Sequence, residues 1–147
     1  MTASPGPYTR GMDDEVRRSE AAVDEVFLEG LRFYAYHGVN PEEKAQGQRF
    51  TVDVALRTDL RGAGESDDLS QTVSYSAVYK RVKAVVEGLP RDLIEAVAEE
   101  IARVILAEFP AVERVTVVVR KPEAPVTGAM LDAAGVRITR VRSGAAR

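Results

Sequence analysis

Apolar and polar residues alternate most regularly in QRFTVDVALRTDL, residues 48–60. One side of this segment is apolar apart from a single threonine, and the other side is mostly polar. The first set is Phe50, Val52, Val54, Leu56, Thr58 and Leu60, and the second is Thr51, Asp53, Ala55, Arg57 and Asp59. A period of two indicates a β-strand with one face on a core.

Three further segments are typical of strands. They are VFLEGLRFYAY (residues 26–36), VERVTVVVRK (112–121) and AAGVRITRVR (133–142). In the last of them, Val136 and Ile138 alternate with Arg137 and Thr139. The chain therefore contains four predicted strands, two near each end.

A first helix is predicted over residues 74–90, SYSAVYKRVKAVVEGLP. Its apolar residues recur every three or four positions and form one stripe: Val78, Val82, Val85 and Leu89. Ser74 can cap the start, and Gly88 with Pro90 can end the helix. The segment before it, RGAGESDDLSQT (61–72), is rich in Gly, Asp and Ser and is predicted to be a loop.

A second helix is predicted in RDLIEAVAEEIARVILAEF, residues 91–109. The expected buried face consists of Ile94, Val97, Ile101, Val104 and Ile105. Asp92 and Glu95 have the spacing of a capping box, in which two side chains satisfy backbone N–H groups at a helix start.

The order strand-strand-helix-helix-strand-strand predicts an α+β fold. Short links between neighbouring strands favour a four-stranded antiparallel sheet, with both helices on one face. Such a sheet has two open edges, and no proline interrupts the predicted strands to protect them. Assembly of several copies through these edges would cover them, so we expect a homo-oligomer.

The composition suits one domain of 147 residues. The net charge of −3 gives no reason to expect nucleic-acid binding. There is no apolar run near the roughly 20 residues that span a bilayer, and the first residues lack the apolar core of a secretory signal. The absence of cysteine fits a reducing compartment, so the expected location is the cytoplasm. We expect a mobile tail at residues 1–23, one domain at 24–142 and a loose tail at 143–147.

Four segments carry a resemblance to a known family. They are LRFYAYHGVNPEEKAQGQRFTVDV, SDDLSQTVSYSAVYKRV, LIEAVAEEIA and RKPEAP, in this order. With this order and spacing, the region 24–142 resembles dihydroneopterin aldolase, an enzyme of folate biosynthesis. The resemblance implies the tunnelling fold, in which subunits join their sheets into a barrel. It also implies tetrameric rings, commonly stacked as octamers, with active sites between subunits.

The resemblance implies a retro-aldol cleavage without a metal, another cofactor or an enzyme Schiff base. 7,8-Dihydroneopterin would yield 6-hydroxymethyl-7,8-dihydropterin and glycolaldehyde, and epimerisation at C2′ is expected as a side activity. The N5=C6 imine of the pterin lies next to the bond that breaks and can accept the electrons itself. The protein then needs only to move protons and hold the substrate.

Lys121 corresponds to the catalytic lysine of the family. Without the resemblance, a lysine at a strand end would be read as a solvated residue. Pro122 restricts the backbone of Lys121 to extended conformations, which fixes the origin of its side chain. Strand alternation directs Arg120 to the opposite face. A lysine that exchanges protons near neutral pH needs a desolvated setting or a nearby cation. Arg120 cannot supply that cation from the opposite face, so the expected setting of Lys121 is a pocket at a subunit interface.

Two other catalytic residues are implied by the resemblance. Tyr75 would relay a proton in the site of a neighbouring subunit, and the alternative is an aromatic residue packed beneath the helix. Glu43, and not Glu42, matches the active-site glutamate that would orient the trihydroxypropyl chain or a water. The alternative for Glu43 is a solvated loop carboxylate.

The resemblance also implies a set of substrate-binding residues. Glu95 would accept two hydrogen bonds from the exocyclic amine and ring N–H of the pterin, and its alternative role is in the capping box. Leu93 and Ile94 would supply backbone groups or an apolar wall, although Leu93 is more typical of a core residue. Thr72 and Val73 would contact the ring through their backbone, or simply pack in the loop.

His37 is the only histidine, and we expect it to be structural because it lies in the turn YHG and the family gives it no catalytic role. Thr127 departs from the proline common in the family, which affects the expected site wall near Val126. Two alternatives to an aldolase remain: a dedicated pterin epimerase, and a small oligomerising pterin-binding module without catalysis.

Overall fold

The computed structural model describes residues 23–144. The predicted tails, 1–23 and 143–147, lie almost entirely outside the described residues. Residues 23–144 form one sheet of four strands: β1 (Glu25–Ala35), β2 (Gln48–Arg57), β3 (Arg114–Lys121) and β4 (Ala134–Val141). The strands lie side by side in the order β1-β2-β3-β4, and each neighbouring pair is antiparallel. The predicted α+β fold with a four-stranded antiparallel sheet is confirmed.

In the described part of the chain, four α-helices accompany the sheet: α1 (Pro41–Gln46), α2 (Arg61–Ser66), α3 (Tyr75–Val86) and α4 (Ile94–Glu108). The two longer helices, α3 and α4, are those predicted from periodicity. Helices α1 and α2 were not predicted. The segment predicted as a loop contains both α2 and a 3₁₀ turn at Leu69–Gln71, so that prediction was wrong in part.

The core lies between α3, α4 and one face of the sheet. The predicted inward residues of β2 are buried from Phe50 to Thr58, although the strand itself ends at Arg57. All five residues predicted for the buried face of α4 are buried. In α3, Val78 and Val82 are buried as predicted, together with Val86.

Two predicted details of the helices were wrong. Leu89 is 81% exposed because α3 ends at Val86, which leaves Leu89 in the connection to α4. The capping box is not formed: Leu93 is the N-cap residue of α4 and makes no side-chain cap bond. By contrast, Ser74 caps α3 as predicted, with its hydroxyl 3.3 Å from the Ala77 N–H.

Strands β1 and β4 are the two edges of the sheet. The pairing of β1 with β2 shifts register between Leu28 and Leu31, where Gly30 has a φ of +70°. The Gly30 N–H, freed from strand pairing there, donates to Asp53 Oδ1 at 2.7 Å. The edge strand thus carries a glycine bulge fixed by a carboxylate. No helix among residues 23–144 has the length and apolar character needed to cross a membrane.

Candidate active site

Lys121 and Glu43 form an ion pair at the end of β3. Lys121 is the last residue of this strand, and its Nζ lies 2.8 Å from Oε2 of Glu43 in α1. The two side chains are only 14% and 10% exposed. Neither side chain is therefore a solvated surface group, which was the alternative role considered for each residue. Arg120 binds Asp53 on the other face of the sheet, at 2.7 Å, as strand alternation predicted.

The Glu43 carboxylate accepts two further hydrogen bonds. Gln48 Nε2 donates to Oε2 at 2.6 Å, and the Asn40 N–H donates to Oε1 at 3.2 Å. Burial raises the pKa of Glu43, but the bonds from Lys121, Gln48 and Asn40 outweigh it and hold the pKa below its ordinary value. Glu43 is therefore ionised at neutral pH.

Gln48 was missed as a site residue, although the sequence contains a signal for it. It has the same parity in β2 as the core residues Phe50 and Val52, yet it is polar. A polar residue on the inward side of a strand needs a partner, and here that partner is Glu43.

Glu43 also packs closely against the backbone of Gly38. A Cβ atom placed on Gly38 would lie 2.3 Å from the carboxyl carbon of Glu43, which is far inside contact distance. The position of the carboxylate therefore requires a glycine at residue 38.

The second group of predicted residues lies at the start of α4. Glu95 follows the first residue of this helix, and its exposed carboxylate has no hydrogen-bond or ion-pair partner among the described residues. Ile94 is buried, whereas Leu93 is 50% exposed, so the expectation that Leu93 belongs to the core was wrong. Asp92 forms an ion pair with Lys44 instead of capping the helix, which brings the residues before α4 to the end of α1.

The third group lines a separate cavity of about 570 Å³. Tyr75, Thr72 and Val73 form part of its wall with residues of β1, α2 and the 3₁₀ turn. Tyr75 is 61% exposed at the first position of α3. It is therefore not packed beneath the helix, which was the alternative to a catalytic role. Glu43, Glu95 and Lys121 do not line this cavity. Within one protomer, the three residues of the cavity therefore lie apart from the Lys121–Glu43 pair and from Glu95.

Residues 23–144 contain no group of three or more His, Asp or Glu side chains arranged to hold a metal ion. His37 is buried and hydrogen-bonded through both ring nitrogens, in agreement with its expected structural role.

Comparison with known proteins gives a consistent result. Residues 26–139 match the family model for dihydroneopterin aldolase. The dihydroneopterin aldolase of Bacillus subtilis is 46% identical over 121 residues, which are 82% of this chain and 100% of the relative. The Escherichia coli dihydroneopterin aldolase in complex with neopterin superposes with a TM-score of 0.73 at 35% identity, over 80% of this chain and 99% of that chain. The Burkholderia thailandensis dihydroneopterin aldolase bound to guanine gives a TM-score of 0.66 at 27% identity, over 83% and 93%.

Proposed function

The chain belongs to the dihydroneopterin aldolase family, whose members are carbon–carbon lyases of folate biosynthesis, and we propose that it uses neither a metal nor an enzyme Schiff base. The observation that carries this proposal is the shielded Lys121–Glu43 ion pair. It offers an amine that can exchange protons and a carboxylate that can orient the substrate or a water. Catalysis then consists of proton transfers to and from a substrate that supplies its own electron sink.

The proposed reaction moves a single proton overall. The hydroxyl at C2′ of 7,8-dihydroneopterin loses its proton, and its electrons form the carbonyl of glycolaldehyde as the C1′–C2′ bond breaks. The bonding pair moves into the N5-protonated imine and gives an enamine. Protonation of C1′ and release of the N5 proton complete 6-hydroxymethyl-7,8-dihydropterin. Lys121 shuttles these protons through a water, and ionised Glu43 orients the trihydroxypropyl chain or that water.

Recombination on the opposite face of the aldehyde, before it leaves, would give the C2′ epimer. The same proton shuttle serves this return step. Epimerisation is therefore part of the proposal as a side activity.

Glu95 is the proposed anchor for the pterin ring. Neopterin and guanine, the ligands bound by two structural relatives, both present an exocyclic amine beside a ring N–H. One carboxylate can accept both hydrogen bonds. The Glu95 carboxylate is exposed and without a partner among the described residues, so it is available for this contact. Ile94 and Leu93 would form the adjoining wall.

We propose that a complete site takes residues from two protomers. Tyr75, Thr72 and Val73 line a cavity that Lys121, Glu43 and Glu95 do not reach, which supports a division of the site between copies. The edges β1 and β4 have strand hydrogen-bonding groups available for a neighbour. Joining these edges would close a ring of sheets, with a tetramer or stacked octamer as the proposed assembly.

The direct test is to incubate the purified protein with 7,8-dihydroneopterin in the presence of a chelator and measure glycolaldehyde and pterin products. We expect equal amounts of glycolaldehyde and 6-hydroxymethyl-7,8-dihydropterin, with a minor C2′ epimer. Sodium borohydride added during turnover should trap no covalent adduct on Lys121. Loss of activity with the chelator, or a trapped adduct, would contradict the proposed chemistry. Epimer without glycolaldehyde would identify an epimerase, and binding without any product would identify a non-catalytic module.

A further inference from the structure

His37 has only one chemically possible protonation state in this structure. Its ring is 1% exposed, with Nε2 2.7 Å from the Val86 carbonyl oxygen and Nδ1 3.0 Å from the Arg91 backbone nitrogen. A carbonyl only accepts and an N–H only donates, so Nε2 carries the proton and Nδ1 has the lone pair. Both nitrogens are occupied, and the ring cannot exchange protons with a substrate.

The two partners of His37 lie at opposite ends of the connection between α3 and α4. Val86 is the last residue of α3, and Arg91 lies three residues before the first residue of α4. His37 and Gly38 lie in the turn between β1 and α1. Gly38 adds a second hydrogen bond between this turn and the α3–α4 connection, because its N–H donates to the Arg91 carbonyl at 2.9 Å. Both backbone groups of Arg91 are thus bound to His37 and Gly38.

The same turn is in contact with the Lys121–Glu43 pair. Gly38 supports the Glu43 carboxylate directly, since no Cβ would fit between them. Lys44 donates to the Gly38 carbonyl at 2.7 Å and forms an ion pair with Asp92. The turn therefore contacts the catalytic carboxylate on one side and the residues leading to Glu95 on the other.

Resting on the proposed function, we propose that His37 is a positioning residue for this reaction. Its two ring hydrogen bonds hold the α3–α4 connection so that Glu95 grips the pterin ring at a fixed place relative to the Glu43–Lys121 pair. A histidine that served only the stability of the fold would not affect ligand affinity in a folded protein. A positioning histidine affects affinity before it affects the chemical step.

The experiment uses two conservative variants of the full chain in its native assembly. In His37→Gln the side-chain amide reaches the place of Nε2, and in His37→Asn it reaches the place of Nδ1, so each keeps one hydrogen bond and loses the other. We expect the dissociation constant for neopterin and the KM for 7,8-dihydroneopterin to rise about tenfold in both, the change in affinity that follows from one misplaced buried hydrogen-bonding group. We expect kcat to fall by less than about threefold, because the Lys121–Glu43 pair remains.

Leu56→Ala is the matched control. Leu56 is fully buried near the end of β2, whereas the turn with His37 precedes the start of that strand. Truncation of Leu56 should lower the melting temperature and leave the hydrogen bonds of His37 in place. Its neopterin affinity should equal that of the wild type. Folded His37 variants with unchanged KM, or with a loss confined to kcat, would overturn the proposal.

Two measurements keep the test independent of the pterin reaction. Amide hydrogen exchange at residues 91–96 should be faster in the His37 variants than in Leu56→Ala at equal global stability, whatever the substrate is. Because His37 is the only histidine, its ring ¹⁵N resonances in the wild type are unambiguous, even if the variants fail to fold. They should report the Nε2–H tautomer, and a proton on Nδ1 at pH 7 would overturn the proposal. Absence of glycolaldehyde in the wild type would count against the proposed function alone.

Discussion

Lys121 ends β3 opposite Ala134 of β4, so its side chain can be shortened without loss of strand pairing. Lys121→Ala should lower kcat by about 10²- to 10⁴-fold, the usual contribution of one acid–base group. The dissociation constant for neopterin should stay within about threefold, because the proposed anchor Glu95 is unchanged. Isothermal titration and the glycolaldehyde assay measure the two effects separately.

Lys83→Ala provides the control for a lost lysine. Lys83 lies on the exposed side of α3, 3.8 Å from Glu87, in a pair worth about 0.3–0.5 kcal/mol at most. Its removal should leave kcat unchanged. Normal turnover in folded Lys121→Ala would exclude the shuttle role.

We expect Gln48 to influence activity through the ionisation of Glu43. Its hydrogen bond is one of three that hold the Glu43 pKa below the ordinary value, so Gln48→Ala should let that pKa rise. The activity of the variant should then begin to fall at a higher pH than that of the wild type as the solution is acidified. The pH dependence of kcat/KM measures this shift. Gln46→Ala, in the same segment but exposed, should keep the wild-type profile.

The same carboxylate contributes to stability with a defined sign. The folded-state pKa of Glu43 lies below the unfolded-state value, so its stabilisation is present above the unfolded-state pKa. It is lost as the pH falls through the lower folded-state pKa. His37 acts in the same direction: burial lowers its pKa, the Val86 carbonyl opposes this, and the charges of Arg91 and Lys121 lower the pKa further. Its unfolded state therefore binds a proton first, and stability declines below about pH 6.5.

The helices and strands that periodicity predicted are those that bury a stripe or a face. Helices α3 and α4 each have such a stripe, whereas α1 and α2 have no buried residue and leave no hydrophobic period in the sequence. The capping box failed for a tertiary reason, since Asp92 pairs with Lys44, 48 residues earlier. Local spacing predicts only the contacts that a segment can make within itself. Here the long-range ion pair with Lys44 replaced the local cap.

The candidate site was predictable only through the family resemblance. Lys121 and Glu43 are 78 residues apart, and no periodicity relates them. The supporting contacts of Gln48 and Gly38 depend on a close turn that only the structure describes.

The turn between β1 and α1 offers a test of that close approach. Gly38→Ala should displace the Glu43 carboxylate, because the new methyl group would meet its carboxyl carbon. We expect about a tenfold or greater loss of kcat/KM, together with a destabilisation of about 1–3 kcal/mol from the strained backbone. Activity assays and urea unfolding measure the two effects.

Gly62→Ala is the corresponding control in α2. There the added methyl group meets only the end of the flexible Gln71 side chain, and alanine is the better helix former. Stability and activity should be close to those of the wild type. A fully active Gly38→Ala would show that Glu43 does not need its observed position.

At the scale of the whole molecule, the fold leaves two features incomplete in one protomer. The sheet has open edges at β1 and β4, and the cavity beside Tyr75 lies apart from the Lys121–Glu43 pair. In the proposed ring, edge pairing between copies would complete both at once, if it also places the cavity beside Tyr75 next to a neighbour's Lys121. Stability and activity should consequently share one dependence on protein concentration.

Mixing two inactive variants distinguishes a shared site from one contained in a single chain. Tyr75→Ala and Lys121→Ala, mixed in equal amounts and reassembled from dissociated subunits, should regain about a quarter of the wild-type activity. Each shared site takes its lysine from one subunit and its tyrosine from the next. When subunits combine at random around a closed ring, half of the sites receive an intact lysine, and half of those also receive an intact tyrosine. Each variant alone, reassembled in the same way, should stay inactive. If Tyr75 and Lys121 acted within one protomer, every chain in the mixture would lack one of them, and no activity would return.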